Sequence, residues 1–204
     1  MMEIQREHYK NGNLKSETPY LNNLRHGVKI GYYENGNVMY EIPFLNDKIH
    51  GIAKWYYESG ELERKTPYIN GKIHGVEEIY YKNGNLLFKA SFQYNLLHGE
   101  KKEYYENRKL RHKSLFENGK KNGIDVWYYE NGNIECETPY IDAKIHGVKK
   151  IYYENGKLKY KKIYRNGIEM PLKRWHIGLF KNLIITILIL TMSFIFIYLY
   201  VFKG

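Results

Sequence analysis

Five histidines occupy one position of a 24-residue period, and histidine is the commonest metal ligand among protein side chains. They are His26, His50, His74, His98 and His146, and each is followed by glycine. If each period folds as two β-strands, successive copies lie two strand spacings apart, or ~9.6 Å. Zinc holds imidazole nitrogens at ~2.0–2.1 Å, so neighbouring histidines would have to converge across most of that gap. We therefore predict no metal site and a structural column that hydrogen-bonds across a turn.

A second column consists of tyrosine, which could stack on nucleic-acid bases or sugars. Adjacent Tyr-Tyr pairs recur with the same period, and their first members are Tyr32, Tyr56, Tyr80, Tyr104, Tyr128 and Tyr152. Neighbouring residues of a strand face opposite sides of a sheet, so one column should pack on each side. Single-strand nucleic-acid binders normally combine aromatics with a basic groove. Residues 1–143 contain 20 Lys or Arg and 20 Asp or Glu, which makes nucleic acid an unlikely partner and packing the expected role.

Catalytic arrangements are not recognisable in the sequence. It has no Ser-His-Asp order, no glycine-rich phosphate loop, no HExxH and no CxxC. The single cysteine, Cys136, takes a position held by Tyr40, Phe88 and Tyr160 in other copies, which favours a packed side chain over a reactive thiol. We therefore expect no enzymatic activity and no cofactor.

The histidine and tyrosine columns result from an internal repeat. Its turn glycines are Gly12, Gly36, Gly60, Gly84, Gly132 and Gly156, with Arg108 at this position in the fifth copy. Seven copies occupy residues 6–170. A fixed period of this size indicates a stacked array, in which each unit contacts its neighbours along a line.

Each copy predicts two strands and two reversals. Asn-Gly between β-forming residues is typical of a hairpin with a type I′ turn. A second turn follows about twelve residues later, for example at Asn70-Gly71. We therefore predict an all-β fold, an elongated antiparallel meander of roughly fourteen strands and ~65 Å. Because proline cannot donate to a strand ladder, the returning strand should be interrupted, bulged or unpaired at Pro19, Pro43, Pro67 and Pro139.

The C-terminal end predicts a membrane anchor. Residues 183–202 read LIITILILTMSFIFIYLYVF, twenty residues without a charge, and a helix of this length spans ~30 Å, the thickness of a bilayer's hydrocarbon core. The start, MMEIQREHYK, has no apolar run of a signal peptide. We predict one transmembrane helix over 183–202, preceded by a basic linker over 171–182. The positive-inside bias then places the repeats in the cytoplasm.

The net charge of +10 is concentrated next to this segment. The basic residues that precede it closely are Lys157, Lys159, Lys161, Lys162, Arg165, Lys173 and Arg174. They can orient the anchor during insertion, and they can also contact anionic lipid, with each charge near the surface worth ~1 kcal/mol. The two roles are compatible, and we expect both.

The combination of Tyr-Tyr, Asn-Gly, an aromatic, Gly-Lys and His-Gly at this period resembles the MORN repeat in its bacterial variant form, whose relatives include YwqK-type antitoxins. The resemblance covers about four fifths of the chain. It implies stacked β-hairpins in an open, twisted sheet, which serve as scaffolds, in protein contacts or at lipid surfaces. We expect a membrane-tethered scaffold that binds a protein partner at the cytoplasmic face. The alternatives are an antitoxin-like regulator that masks a toxin, a lipid-surface module acting through the basic C-terminal end, and an extracytoplasmic adhesin.

Overall fold

The computed structural model describes residues 1–171, and these form one antiparallel sheet of 20 strands. The strands are β1 (Met2–His8), β2 (Leu14–Leu21), β3 (Leu24–Arg25), β4 (Gly27–Tyr32), β5 (Val38–Leu45), β6 (Lys48–Ile49), β7 (Gly51–Tyr56), β8 (Leu62–Ile69), β9 (Lys72–Ile73), β10 (Gly75–Tyr80), β11 (Leu86–Gln93), β12 (Leu96–Tyr104), β13 (Leu110–Glu117), β14 (Lys120–Lys121), β15 (Gly123–Tyr128), β16 (Ile134–Ile141), β17 (Lys144–Ile145), β18 (Gly147–Tyr152), β19 (Leu158–Arg165) and β20 (Ile168–Met170). Each strand pairs with its neighbours along the chain, as in β4 with β5 and β5 with β7. The predicted all-β antiparallel meander of seven repeats is confirmed.

The first turn of each repeat is a three-residue loop and not the predicted type I′ turn. In the second copy, the Gly36 amide donates to the Tyr33 carbonyl at 3.0 Å, and the Tyr33 amide donates to the Asn37 carbonyl at 2.8 Å. Gly36 has φ +90°, whereas Asn35 keeps a negative φ. The Asn35 side-chain oxygen accepts the Asn37 amide at 2.9 Å. This bond favours a type I turn followed by one left-handed residue, which accounts for the bulge where β5 begins.

The second turn of each repeat does have type I′ geometry. Both central residues have positive φ, +49° and +65° at Asn46-Asp47 and +50° and +79° at Asn70-Gly71. These two-residue loops match the right-handed twist of the flanking strands. The prediction of a tight second reversal is confirmed.

The interruption predicted at proline lies in the neighbouring strand. Pro43 sits inside β5 and pairs with Val28 of β4. The break falls at His50, between β6 and β7, where the His50 amide donates to the Pro43 carbonyl at 3.0 Å. Proline leaves no N–H to pair on that side, so the facing strand can turn away without leaving a donor unsatisfied. Breaks divide five incoming strands in two; four of them face a proline carbonyl, and the fifth, at Asn122, faces the carbonyl of Leu115. These divisions account for most of the excess of the 20 strands over the roughly fourteen predicted.

The two sides of the sheet differ in burial. One side, here called the packed face, carries a column of small residues in which Ala53 and Ala90 are 0% exposed and Thr66 and Ser114 are 1% exposed. A single sheet has no second layer above it, so larger side chains on the same face must cover this column. We call the other side the open face; it carries Val28, Pro43, Ile52 and their equivalents.

The predicted linker over 171–182 lies outside the described residues except for Pro171, and the predicted transmembrane helix over 183–202 lies wholly outside them. Within residues 1–171 there is no helix with the length and hydropathy needed to cross a bilayer.

Candidate functional site

The second tyrosine of each pair links one repeat to the next. Its hydroxyl donates to the main-chain oxygen of the first tyrosine in the following copy, at 2.7–2.9 Å. These bonds are Tyr9 to Tyr32, Tyr33 to Tyr56, Tyr57 to Tyr80, Tyr81 to Tyr104, Tyr105 to Tyr128 and Tyr129 to Tyr152. The sequence pattern predicted that this column would lie on the opposite face of the sheet from the first tyrosines. In the structure it lies just beyond the strand ends instead. Because these hydroxyls already donate to main-chain oxygens of the next repeat, the role of this column is structural.

The first tyrosine of each pair lies on the open face beside charged side chains. The Tyr32 hydroxyl donates to Glu17 at 3.2 Å, and the Tyr152 hydroxyl donates to Glu137 at 2.8 Å. Burial, with a further contribution from the hydrogen bond to Glu17, raises the pKa of Tyr32. These phenols therefore remain neutral donors at physiological pH.

The histidine column contacts the second turn of the following repeat. His26 Nδ1 lies 3.3 Å from Asn46 Oδ1, and the equivalent distance from His146 to Asn166 is 3.1 Å. In the third copy the His74 ring instead lies 4.7 Å from the Tyr94 ring. No three metal-binding side chains converge anywhere in residues 1–171. The turn glycines occupy the left-handed region, with Gly60 at φ +102°, and Arg108 adopts φ +69° at the same position.

A buried charged cluster in the fifth and sixth copies was not predicted. His112 and Asp125 are 3% and 4% exposed, and His112 Nε2 lies 2.9 Å from Asp125 Oδ1. Lys121 donates to Asp125 Oδ1 at 2.6 Å, and Trp127 Nε1 donates to Oδ2 at 3.1 Å. Burial pushes the pKa of Asp125 up, but the bonds from His112 and Lys121 outweigh it, so the pKa lies below its usual value. The cluster therefore holds an ionised carboxylate on the packed face.

Sequence spacing alone could have indicated part of this cluster. His112 takes the position of Tyr40, Phe88 and Cys136. Asp125 takes a position that is charged in most other copies, as at Lys29, Glu77 and Lys101, and is alanine only at Ala53. Since oppositely charged side chains in adjacent strands pair across a sheet, a histidine and a carboxylate at these two positions are expected to meet.

An exposed apolar stripe crosses the open face at right angles to the strands. Its members are exposed medium-sized apolar residues and the prolines directly opposite them on the neighbouring strands. The prolines are half-buried, except for Pro19, which is buried. The opposed pairs are Ile4 with Pro19, Val28 with Pro43, Ile52 with Pro67, Ile124 with Pro139, and Val148 with Ile163. Ile52 and Ile124 are 53% and 58% exposed. Exposed apolar residues that occur singly need no explanation, but a contiguous patch marks a contact surface.

The fourth copy interrupts the stripe. Ser91 and Glu100 occupy the equivalent positions, opposite Val76 and Leu115. Glu100 contacts Lys102 at 2.6 Å and Lys113 at 2.8 Å. These two hydrogen bonds, that of Lys102 first, lower the pKa of Glu100 to about 2. The stripe is thereby divided into an N-terminal half from Ile4 to Val76 and a C-terminal half from Leu115 to Ile163.

The two flanks of the stripe carry different charge. On one side, carboxylates and lysines of adjacent strands pair, as in Glu41 with Lys54 at 3.1 Å and Glu137 with Lys150 at 3.0 Å. On the other side, apolar residues alternate with exposed lysines through the pairs Leu45–Lys48, Ile69–Lys72 and Ile141–Lys144. Within residues 1–171, Lys48, Lys72 and Lys144 make no ion pair. The stripe therefore has one neutralised flank and one basic flank.

The basic residues predicted to contact lipid are only partly available for that role. Lys157, Lys159, Lys161 and Arg165 are exposed, whereas Lys162 pairs with Glu169 at 2.9 Å. The remaining two, Lys173 and Arg174, lie outside the described residues.

Comparison with known protein families decides the classification. The model of the MORN repeat variant matches seven times, at residues 4–22, 25–46, 49–70, 73–94, 97–118, 121–142 and 145–166. The chain belongs to the MORN repeat variant family. A comparison with curated proteins returned no match. In this MORN variant array, each matched segment after the first begins near the start of a strand that leads into the repeat, and each ends at the first residue of a type I′ turn.

Proposed function

We propose that this MORN variant chain is a non-catalytic scaffold, tethered to the membrane by residues 183–202, that binds a protein partner at the cytoplasmic face. The observation that carries the proposal is the exposed stripe on the open face, where Val28, Ile52 and Ile124 are about half exposed. A soluble domain gains little by leaving such residues in a row, and rows of this kind mark contact sites. By contrast, the hydroxyls of six tyrosines in the array are used in hydrogen bonds between repeats.

The test is photo-crosslinking of the full-length protein in its native membrane. A photoreactive residue at Ile52 or Ile124 is expected to give a discrete protein adduct, because both positions point away from the sheet on the open face. The matched control is the same residue at Lys10, an exposed turn position off the stripe. Reciprocal tagging of the captured protein must recover this chain. Adducts with lipid alone, or none from either stripe position, would overturn the scaffold proposal.

Two other functions are separable from this one. An antitoxin-like regulator would give an adduct with one toxin, encoded beside this chain, and loss of the chain would be toxic to the cell. A lipid-surface module is favoured by the exposed Lys157, Lys159 and Lys161. It would bind anionic vesicles with a strong salt dependence. Strong vesicle binding by the electrically neutral repeats before residue 144 would contradict a lipid module that acts through the basic C-terminal end.

A further inference from the structure

We propose that the N-terminal half of the stripe binds an amphipathic α-helix whose apolar side is flanked by acidic residues. The inference rests on the proposed scaffold function and names the chemistry of the partner. It commits to the surface around Val28, Ile52 and Val76, with Lys48 and Lys72 along its basic flank.

The length and direction of the half-stripe suit a short helix. From Val28 on β4 to Val76 on β10 the stripe crosses β5, β7 and β8, which makes four strand spacings or ~19 Å. A helix of about thirteen residues covers this distance. Beyond Val76 the apolar surface stops at Ser91 and at Glu100 with its two lysines.

The repeat spacing favours a helix over an extended peptide. Equivalent side chains recur every two strands, or ~9.6 Å. Seven residues of helix rise ~10.5 Å. The apolar residues of a heptad pattern therefore recur along a helix at nearly the same distance as the stripe residues, and the two spacings match over two repeats. Side chains on one side of an extended chain recur every ~6.6 Å and fall out of step within one repeat.

The charge pattern selects an acidic flank on the partner. Lys48 and Lys72 are exposed, recur at the same spacing as the apolar residues, and make no ion pair within residues 1–171. The opposite flank is already neutral, because Glu41 pairs with Lys54 and Glu78 pairs with Lys65. A helix with glutamate or aspartate seven residues apart on one side would therefore meet the lysines, and it would meet no net charge on its other side. The lysine flank fixes the helix orientation, since complementary charge decides specificity more than affinity.

The experiment uses the full-length chain in phosphatidylcholine nanodiscs and two synthetic helical peptides. Both peptides carry leucine at heptad positions and a hydrocarbon staple on the solvent side; one has glutamate and the other lysine along the flank. At low salt the acidic peptide is expected to bind about tenfold more tightly than the basic peptide, and the preference should shrink at high salt. Empty nanodiscs measure binding to the lipid alone.

Three variants locate the binding. Ile52→Ser should weaken the acidic peptide about tenfold, whereas Leu158→Ser, an equally exposed position off the stripe, should leave it unchanged. The double variant Lys48→Glu and Lys72→Glu should reverse the preference between the two peptides. Equal melting temperatures for all three, and for the unmodified protein, show that the fold is kept.

Several outcomes overturn the inference. These are equal affinity for both peptides, insensitivity to Ile52→Ser, binding that empty nanodiscs reproduce, or a crosslink from Ile52 to a second copy of this chain. If a cellular partner is captured through Ile124 but not through Ile52, the scaffold function stands and this site does not. Absence of any partner would remove the scaffold function, while the two peptides would still decide whether the surface selects acidic helices.

Discussion

The hydroxyl of Tyr57 donates a 2.7 Å hydrogen bond to the main-chain oxygen of Tyr80, one repeat further along the chain. Tyr80 is the last residue of β10, where regular strand pairing ends and the loop begins. Its carbonyl would otherwise turn to solvent at the edge of the sheet. The tyrosine therefore extends the contact between repeats beyond the strand ladder, and six copies of this bond recur along the array.

Replacing Tyr57 by phenylalanine should lower the free energy of unfolding by about 1 kcal/mol, because the change removes one hydrogen bond and keeps the ring. Urea or thermal unfolding measures the loss. Tyr94→Phe is the control, since Tyr94 is 54% exposed and its hydroxyl bonds no residue within 1–171. Equal losses for both variants would mean that the inter-repeat bond adds no stability.

Deleting one whole repeat should leave a folded protein. Removal of Ile52–Gly75 joins Gly51 to Val76, which occupy successive positions of the repeat, so turns and faces stay in register. The stability should fall, since the array has one interface fewer. Removal of the 12 residues 64–75 instead reverses the chain direction after Glu63 and should prevent folding. Thermal unfolding followed by circular dichroism separates the two, and similar behaviour would contradict the meander.

The glycine that follows the histidine in each repeat should tolerate substitution less well than the glycine of the first turn. Gly75 has φ +113°, and an added Cβ would lie 3.0 Å from Pro67 Cγ, whereas Gly60 has φ +102° and open space around it. Gly60→Ala should cost about 1–2 kcal/mol from backbone strain alone. Gly75→Ala should cost a further ~1–3 kcal/mol, because the methyl group must displace the proline. A smaller loss for Gly75→Ala than for Gly60→Ala would show that the contact relaxes freely.

Asp125→Asn should destabilise the protein by about 3 kcal/mol near neutral pH, since it leaves the buried His112 and the lysine without their carboxylate. The folded-state pKa of Asp125 is depressed, so its stabilisation is present above the usual pKa of ~3.9 and is lost as the pH falls through the folded value. The difference in the free energy of unfolding between the wild type and the Asp125→Asn variant should therefore become smaller at acidic pH. Unfolding measured from about pH 7 to pH 2 tests this. Glu41→Gln, which breaks a half-buried pair at the surface, should cost no more than ~1 kcal/mol.

The proposed orientation predicts that the repeats are shielded in intact cells. A cysteine introduced as Ser59→Cys, in an exposed turn and in a Cys136→Ser background, should react with a membrane-impermeant maleimide only after permeabilisation. The Cys136→Ser protein without the new cysteine is the blank. Labelling of intact cells would reverse the orientation and favour an extracytoplasmic adhesin.

The sequence by itself determined the repeat unit of this protein. The 24-residue period, the paired turns and the alternation along Val28, Ile30 and Tyr32 are local properties, because they depend on backbone φ at the turns and on the two-residue period of a strand. They were sufficient for the all-β meander and its seven copies. The chemistry of Asn-Gly was not sufficient for the turn type, since the Asn35 side chain bonds the Asn37 amide and keeps the first turn right-handed.

Only the tertiary structure decided which side chains meet between strands. The register brings His112 to Trp127 and, on the same face, to Asp125, although the residues lie more than ten positions apart in the chain. The register also puts the strand interruption at His50, opposite Pro43, and not at Pro43 itself. It places Val28, Ile52 and the prolines opposite them in one stripe. These contacts depend on every turn and bulge that precedes them in the chain. A shift of one residue in register would transfer each side chain to the other face of the sheet. The repeat pattern specifies the unit, and the accumulated register specifies the surface that a partner meets.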